Sequence, residues 1–367
     1  MTKTPLLDEH VGLGATFTDF AGWQMPLKYD SELAEHRAVR GGAGLFDLSH
    51  MGEIAVTGPG AAAALDYALV GELSKTAVGR AKYSLLCNSD GGVLDDLVVY
   101  RLAEDRYLVV ANAANAPTVA AELTGRAAKF DADVRDQSAD TALIAVQGPA
   151  AQRIVTSLAP GADAEEVAAL KYYAATEARV AGLGALVART GYTGEDGFEL
   201  YVPNADAVTL WRSLLEATGK HGGGPAGLAC RDTLRLEAGM ALYGHELTVH
   251  TDPYQAGLGR VVRLGKDFVG RDALAARADR PLERVLVGLR GAGRRAARAD
   301  YPVLAGDTPV GVVTSGALSP TLGHPIALAY VDGAHQEPGT ELTVDIRGRQ
   351  EPYTVVKPPF YRRNTNG

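Results

Sequence analysis

Cysteine is almost missing from this chain: Cys87 and Cys230 are the only two in 367 residues, far apart and outside any C-x-x-C spacing. That excludes a disulfide framework and a thiolate zinc site. The eight histidines are scattered and form no H-E-x-x-H, so no metal is expected. No apolar run approaches the ~18 residues that a membrane helix requires, and no membrane association is expected. Positive charge is also in short supply. The net charge of −8 provides no electrostatic footprint for nucleic acid, which needs a basic surface. The opening stretch MTKTPLLDEHVGLG carries acids and has neither an apolar signal core nor an Arg/Ser-rich amphipathic segment. No export or organelle signal is read there, and a cytoplasmic location is expected. The Gly-rich pieces GGAGLFD at 41–47 and GLGRVV at 257–262 match neither phosphate-binding glycine pattern.

What is present reads as a globular protein, with 46% hydrophobic and 22% charged residues, and the length is enough for two or three domains. Two segments resemble each other. EIAVTGPGAAAALDYAL at 53–69 and LIAVQGPAAQRIVTSL at 143–158 both run from a strand through A-V-x-G-P-x-A into an Ala-rich helix. The Gly-Pro ends the strand, because proline lacks the N–H that a ladder needs. This predicts an internal duplication of α+β units. Between the two segments lie KYSLLC, the turn NSDGG, VLDDLVVYRL, a short AED turn and RYLVVAN, a meander with Asp-Gly as its hairpin cue. Residues 203–220 read as a helix with Asn204 as N-cap and Gly219 as stop, and a second helix is expected from about 226 to 237. From Arg284 onward come short Val-rich strands broken by Gly, Pro and Asp, which predicts a small all-β domain, a barrel or sandwich. The division expected is an α+β region over 1–280, built of two lobes, and a β-barrel domain over 281–367.

The stretch GGVLDDLVVY at 91–100 sets two aspartates side by side in an otherwise apolar strand. Side chains alternate faces with period two. Asp96 therefore shares a face with Val98 and Tyr100, and Asp95 shares the other with Val93 and Leu97. A carboxylate on such a face must find donors, stay protonated or reach into a cavity. If the turns close simply, Asn112 falls opposite Asp96 and Tyr83 lies on the neighbouring strand. From the residues alone, a catalytic and a purely structural role for the pair stand level. In RTGYTGEDGFELYV at 189–202, Glu195 and Asp196 read as a solvated turn, whereas Glu199 can present two oxygens to a planar partner bearing two N–H donors. CRDTLRLEAGM at 230–240 places Arg231 and Arg235 on one helical face, where surface pairing of Arg235 with Asp232 or Glu237 is the simplest expectation. In FDLSHMGEI at 46–54, His50 reads as turn-facing and Met51 as packing.

Taken in order, FAGWQMP at 20–26, FDLSHMGE at 46–53, GGVLDDL, NAAN at 112–115, GYTGEDGFE, RDTLRLEAGMALYG and TSGALSP at 314–320 cover nearly the whole chain. Together they resemble the aminomethyltransferase, or T-protein, family of the glycine cleavage system. The resemblance implies an α+β, three-lobed folate-binding fold: two related α+β lobes and a C-terminal β-barrel around a central cavity that takes tetrahydrofolate. It implies an enzyme that moves a methylene from the aminomethyl group on lipoylated H-protein to tetrahydrofolate. Asp96 resembles the family's catalytic aspartate. Tyr83, Val98, Tyr100 and Asn112 resemble the wall around it, and Met51 an apolar contact. Glu199 resembles the carboxylate at the pterin edge and Arg231 a further polar ligand. Tyr172 and Tyr192 are expected to line the pocket, with Tyr361 reaching in from the C-terminal tail. Met240 stands where some relatives have tyrosine.

Three rival readings share parts of this pattern. A folate-dependent demethylase of the same fold would take a methyl from a small molecule. A folate-binding assembly factor for iron–sulfur enzymes would carry a cysteine-containing segment where this chain has GYTGEDGFE. A flavoprotein dehydrogenase would add a dinucleotide-binding domain ahead of the folate module. One basic segment, LRGAGRRAARADYP at 289–302, carries Arg290, Arg294, Arg295 and Arg298. It is either a solvated loop or a surface that steers an acidic carrier protein.

Overall fold

Two α+β sheets pack face to face, and a closed barrel seats against one end of the pair in the computed structural model, which describes residues 1–363. The first sheet has five strands in the order Arg80–Cys87, Val93–Ala103, Arg106–Ala111, Gly52–Thr57, Asp133–Asp136. The second has six, ordered Ala175–Val180, Leu183–Ala188, Gly197–Pro203, Thr141–Gln147, Gly44–Asp47, Gly224–Pro225. The sequence repeat is a structural repeat. In each sheet a strand ending in Gly-Pro leads into a helix, a three-stranded meander follows, and the third strand of the meander returns to pair with the first. Helix Ala61–Ala68 follows the first strand of one lobe and Ala151–Ser157 that of the other; Ala116–Ala127 and Ala207–Gly219 follow the two meanders.

Each sheet buries one face under its own helices, in one core around Trp211, Phe198 and Ile144 and another around Tyr107, Ile54 and Leu97. Burying such side chains stabilises the fold by roughly 1.5–3 kcal/mol each. The other two faces meet across a shared core that includes Phe46, Leu48, Tyr100, Leu108, Leu143 and Tyr201. That shared core brings residues from both repeats to one place.

From Arg284 the chain forms a closed six-stranded barrel, ordered Arg284–Gly291, Pro325–Asp332, Thr308–Leu318, Pro302–Ala305, Glu341–Asp345, Gln350–Val356. Two local expectations need correction. The helix read over 203–220 begins with a 3-10 turn, Asn204–Asp206, and its α-helical part is Ala207–Gly219. Asn204 is not its cap, because its amide donates to Ala139 O at 2.7 Å. Arg235 is not on the surface: it is 1% exposed and donates to Glu246 Oε2 at 3.0 Å, Asp232 Oδ1 at 2.8 Å and Ser315 Oγ at 2.8 Å. It ties helix Leu228–Glu237 to the barrel. Among the described residues no helix is long and apolar enough to cross a membrane.

Glu237, at the end of the same helix, is the other clamp on the barrel. Its carboxylate accepts from Arg40 Nη2 at 2.7 Å, Thr321 N at 3.0 Å, Thr321 Oγ1 at 2.8 Å and Ser319 Oγ, with His36 Nε2 at 3.2 Å. Against the cost of burial, these partners hold its carboxyl down at about 2 rather than the ordinary 4.5. A depressed carboxyl stabilises the fold above its unfolded value and stops doing so as pH falls through the folded one. Glu237→Gln should therefore lower stability by about 3 kcal/mol at pH 6. The difference should shrink steadily between pH 4.5 and pH 2 in thermal melts of the two proteins. A difference independent of pH would remove Glu237 from the barrel seat.

Candidate active site

The face-to-face sheets do not fill the space between them. They leave a cavity of about 330 Å³, closed by residues 239–258 and by Leu286 of the barrel. Strand Val93–Ala103 supplies Asp96, Val98 and Tyr100; strand Gly197–Pro203 of the other repeat supplies Glu199; helix Leu228–Glu237 supplies Arg231.

Asp96 sits at the cavity wall. Tyr83 OH donates to its Oδ2 at 3.0 Å and Asn112 Nδ2 to its Oδ1 at 2.8 Å. The register of the sheet pairs Val98 with Val110, and two residues on this sets Asn112 across from Asp96. Burial raises the Asp96 carboxyl above the ordinary range, while the Tyr83 and Asn112 donors pull it back. Asp95 points the other way and is 0% exposed. It accepts from Asn112 N at 3.0 Å, Asn112 Nδ2 at 2.9 Å and Asn115 Nδ2 at 2.6 Å, and so holds the NAAN turn that starts helix Ala116–Ala127. Burial, and then the neighbouring charge of Asp96, push it up to about 7.

Glu199 faces Asp96's sheet from the opposite one. Its Oε2 accepts from Thr190 Oγ1 and, at 3.4 Å, from Tyr100 OH, which in turn accepts from Tyr201 OH at 3.3 Å. Its Oε1 has no hydrogen-bond donor among the described residues. Burial raises this carboxyl, opposed by Thr190 and by the charge of Arg231. The glycines of GYTGEDG have a packing reason: a Cβ on Gly191 or Gly197 would lie 2.0 or 2.2 Å from the Gln147 amide. Gln147 Nε2 donates to Thr190 O at 3.1 Å and thereby fixes the hydroxyl that holds Glu199. Arg231 stacks over the Tyr192 ring, 4.4 Å from its centroid, and has no carboxylate partner among the described residues. Burial lowers its pKa. A carboxyl, a carboxylate with a free oxygen and an unpaired guanidinium thus share one cavity, a polar set suited to orienting a flat, polar ligand.

Of the residues singled out in the sequence, Met51, Tyr83, Asp96, Val98, Tyr100, Asn112, Tyr192, Glu199 and Arg231 border this cavity, as does Met240. Tyr172 and Tyr361 do not. Tyr172 is 50% exposed, and its neighbour Tyr173 lines the wall instead. Tyr173 has φ of +60°, a left-handed turn that side-chain parity cannot anticipate. Tyr361 OH donates to Glu195 Oε1 at 2.8 Å and its ring lies 4.0 Å under Arg40, in the contacts around Glu237. Glu195 is accordingly no solvated turn residue: it is 8% exposed and pairs with Arg40 at 2.9 Å. Asp196 pairs with Arg189. His50 is buried rather than turn-facing, and among the described residues neither ring nitrogen has a hydrogen-bond partner. Burial and the nearby Arg231 lower its pKa to about 3, so it is neutral. Sequence reasoning missed Thr190 and Tyr201; the alternation of FELY, which puts Tyr201 on the face of Glu199, was the available signal. Among the described residues no cluster of three or more His, Cys, Asp or Glu side chains could hold a metal ion.

The chain matches the GCVT N-terminal domain over residues 6–266 and the glycine cleavage T-protein C-terminal barrel domain over 284–362. It is 60% identical to the aminomethyltransferase of Saccharopolyspora erythraea, across 99% of this chain and 98% of that one. It is 62% identical to that of Streptomyces avermitilis, across 96% of each. Its structure is similar to the crystal structure of glycine cleavage system aminomethyltransferase T from Bartonella henselae. The TM-score is 0.91 and the identity 38%, with 98% of both chains covered.

The Tyr83 hydrogen bond favours the charged form of Asp96. Tyr83→Phe should raise the Asp96 carboxyl pKa, followed by carbon NMR of the carboxyl. An unchanged titration would mean that Tyr83 only fills space.

Proposed function

The chain belongs to the aminomethyltransferase family of the glycine cleavage system, enzymes of folate-linked one-carbon transfer, and we propose that its donor is lipoylated H-protein and its acceptor tetrahydrofolate. The methylene of an aminomethyl group on the lipoyl sulfur would pass to tetrahydrofolate, giving 5,10-methylenetetrahydrofolate, ammonia and dihydrolipoyl H-protein. The exchange balances without oxidation or reduction. One C–S and one C–N bond break and two C–N bonds form. Of the two protons lost from the acceptor amines, one leaves with ammonia and one remains on sulfur.

The observation that carries this reading is the pairing of Asp96 and Glu199 across one cavity, one carboxyl from each repeat. Tetrahydrofolate supplies the two amine nitrogens between which the methylene ends. The residues fit it. Glu199 has an oxygen without a donor, on a carboxyl whose second oxygen is already held by Thr190, which suits the adjacent N–H groups of a 2-amino-4-oxo ring. Tyr100, Tyr173, Tyr192 and Met51 provide flat apolar walls. Arg231 remains for a further polar atom of the ligand.

Asp96 does the electrostatic work. Expelling ammonia leaves positive charge on the methylene carbon, and a fixed carboxylate beside it stabilises that charge without reorganising. Tyr83 and Asn112 hold the carboxyl in place, which keeps the reacting atoms aligned. A pKa raised by burial brings Asp96 closer to the range in which it can also take the proton that the acceptor amine sheds. Asp95 is engaged by the NAAN turn and stays structural. On the outer surface Arg290, Arg294 and Arg295 are exposed, and Arg298 donates to Gly316 O at 2.8 Å. This patch is our proposal for the face that steers H-protein.

Asp96→Asn should keep the shape and lose the charge, cutting turnover by about 10²-fold or more while tetrahydrofolate still binds. Asp95→Asn should act mainly on stability. Equal losses of turnover in both, at unchanged stability, would take the catalytic role from Asp96.

Glu199→Gln sets an N–H donor against the ligand's donors and should weaken tetrahydrofolate binding by about 1 to 3 kcal/mol. Calorimetry reads this directly. Equal affinity in the variant would return Glu199 to a structural role.

A further inference from the structure

Three hydroxyls run in series to one oxygen of Glu199. Tyr201 OH donates to Tyr100 OH at 3.3 Å, Tyr100 OH and Thr190 Oγ1 lie 2.8 Å apart, and Thr190 Oγ1 donates to Glu199 Oε2. Each hydroxyl has a single proton to give. Burial raises the Tyr100 and Tyr201 hydroxyls well above their ordinary range, so both rings keep theirs. With the Thr190 proton on the carboxylate, Thr190 Oγ1 accepts from Tyr100, and Tyr100 OH accepts from Tyr201. The longer contact of Tyr100 OH with Glu199 Oε2, at 3.4 Å, points the same way. The carboxylate at the end sets the direction of every bond behind it.

The series runs less well backwards. A protonated Glu199 would donate to Thr190, Thr190 to Tyr100 and Tyr100 to Tyr201, which leaves the Tyr201 proton in need of a new acceptor. Among the described residues Tyr201 OH has no partner other than Tyr100. Tyr201 is 5% exposed, so losing its acceptor carries a desolvation cost. The duplication shows that this series belongs to one lobe. EIAVTGP aligned on LIAVQGP makes Glu53 the counterpart of Leu143, Ala55 that of Ala145 and Thr57 that of Gln147. Ala55 pairs with Leu108 as Ala145 pairs with Glu199, and Glu53 pairs with Val110 as Leu143 pairs with Tyr201. Glu199 and Tyr201 thus stand together where the first repeat has Leu108 and Val110. Gln147 anchors the middle of the series: its Nε2 donates to Thr190 O at 3.1 Å and its Oε1 accepts from Thr193 Oγ1 at 3.1 Å.

We propose that Thr190 is a positioning residue that sets the specificity of the site: by giving its one proton to Glu199 it fixes that carboxylate as an acceptor, so the bound ring must present N–H donors at that edge. A ring with an acceptor there would meet a lone pair and would be rejected. The inference rests on the reading of Glu199 as the ligand's anchor. The other charged or titratable groups facing Glu199 are Arg231 from helix Leu228–Glu237, Asp96 across the cavity, and Tyr172 and Tyr173 from the segment before strand Ala175–Val180. None of them changes when Thr190 is replaced.

The test follows the Glu199 carboxyl itself by carbon NMR, without ligand, in the parent, Thr190→Val, Thr190→Ser and Tyr100→Phe. Tetrahydrofolate is then titrated calorimetrically into each at two pH values. Thr190→Val keeps the shape and removes a donor to the charged form, so Glu199 should titrate at higher pH than in the parent. It should bind tetrahydrofolate at least about tenfold more weakly and lose further affinity at the lower pH, where more of Glu199 is protonated. Thr190→Ser restores the hydroxyl and should restore both properties. Tyr100→Phe should move the Glu199 titration in the same direction by less, and it carries the test if valine disturbs folding. A purely structural Thr190 would leave the Glu199 titration where it is. Glu199 titrating alike in the parent, Thr190→Val and Tyr100→Phe, or Thr190→Ser behaving as Thr190→Val, would overturn the assignment. A parent that does not bind tetrahydrofolate would overturn the proposed acceptor instead, and the titrations without ligand would still decide the role of Thr190.

Discussion

Two adjacent carboxyls inside one strand set the terms for everything around them. Neither Asp95 nor Asp96 can stay charged and buried without donors, since an uncompensated buried charge costs several kcal/mol. The protein meets that demand with Asn112, which serves both carboxyls, together with Tyr83 on Asp96 and Asn115 on Asp95. Asn112 Nδ2 reaches both carboxyls, at 2.9 and 2.8 Å, while its backbone N–H and Asn115 complete the set on Asp95. To do so the chain must leave strand Arg106–Ala111 in one particular turn and start helix Ala116–Ala127 directly after it. The geometry of the site and the local fold are therefore one constraint: the donors that hold Asp95 fix the turn, and the turn fixes the amide that orients Asp96.

The cavity itself follows from duplication with divergence. Two sheets of the same topology, packed face to face, would bury matched apolar residues at every level. Here the matched positions differ, with Glu199 where the first repeat has Leu108 and Glu53 where the second has Leu143. Each glutamate stands where the other repeat carries leucine. The barrel then closes one end, held by Arg235 and Glu237 from a single helix, so that helix Leu228–Glu237 connects the barrel seat to the Arg231 side of the cavity.

Much of this was legible in residue order, for identifiable reasons. Period-two alternation separates Asp95 from Asp96, and short turns limit the register enough to bring Asn112 opposite Asp96. The repeated A-V-x-G-P-x-A marks the two lobes because its glycine and proline end a strand in a way few other residues can. What could not be read depends on contacts distant in sequence or on backbone exceptions. Tyr173 rather than Tyr172 enters the cavity because of a positive φ. Arg235 looks like a surface residue until the barrel, some eighty residues later, covers it. Tyr361 is drawn aside by Arg40 and Glu195, a pairing that no local pattern announces.

The central claim is that this cavity joins a folate acceptor to a protein-borne aminomethyl donor. It is tested most directly by measuring ammonia released from aminomethylated H-protein with and without tetrahydrofolate, alongside small N-methyl donors in place of H-protein. The account predicts ammonia and 5,10-methylenetetrahydrofolate in equal amounts, only when H-protein and tetrahydrofolate are both present, and no turnover of the small donors. Folate-dependent turnover of a small methyl donor, with aminomethylated H-protein inert, would contradict it.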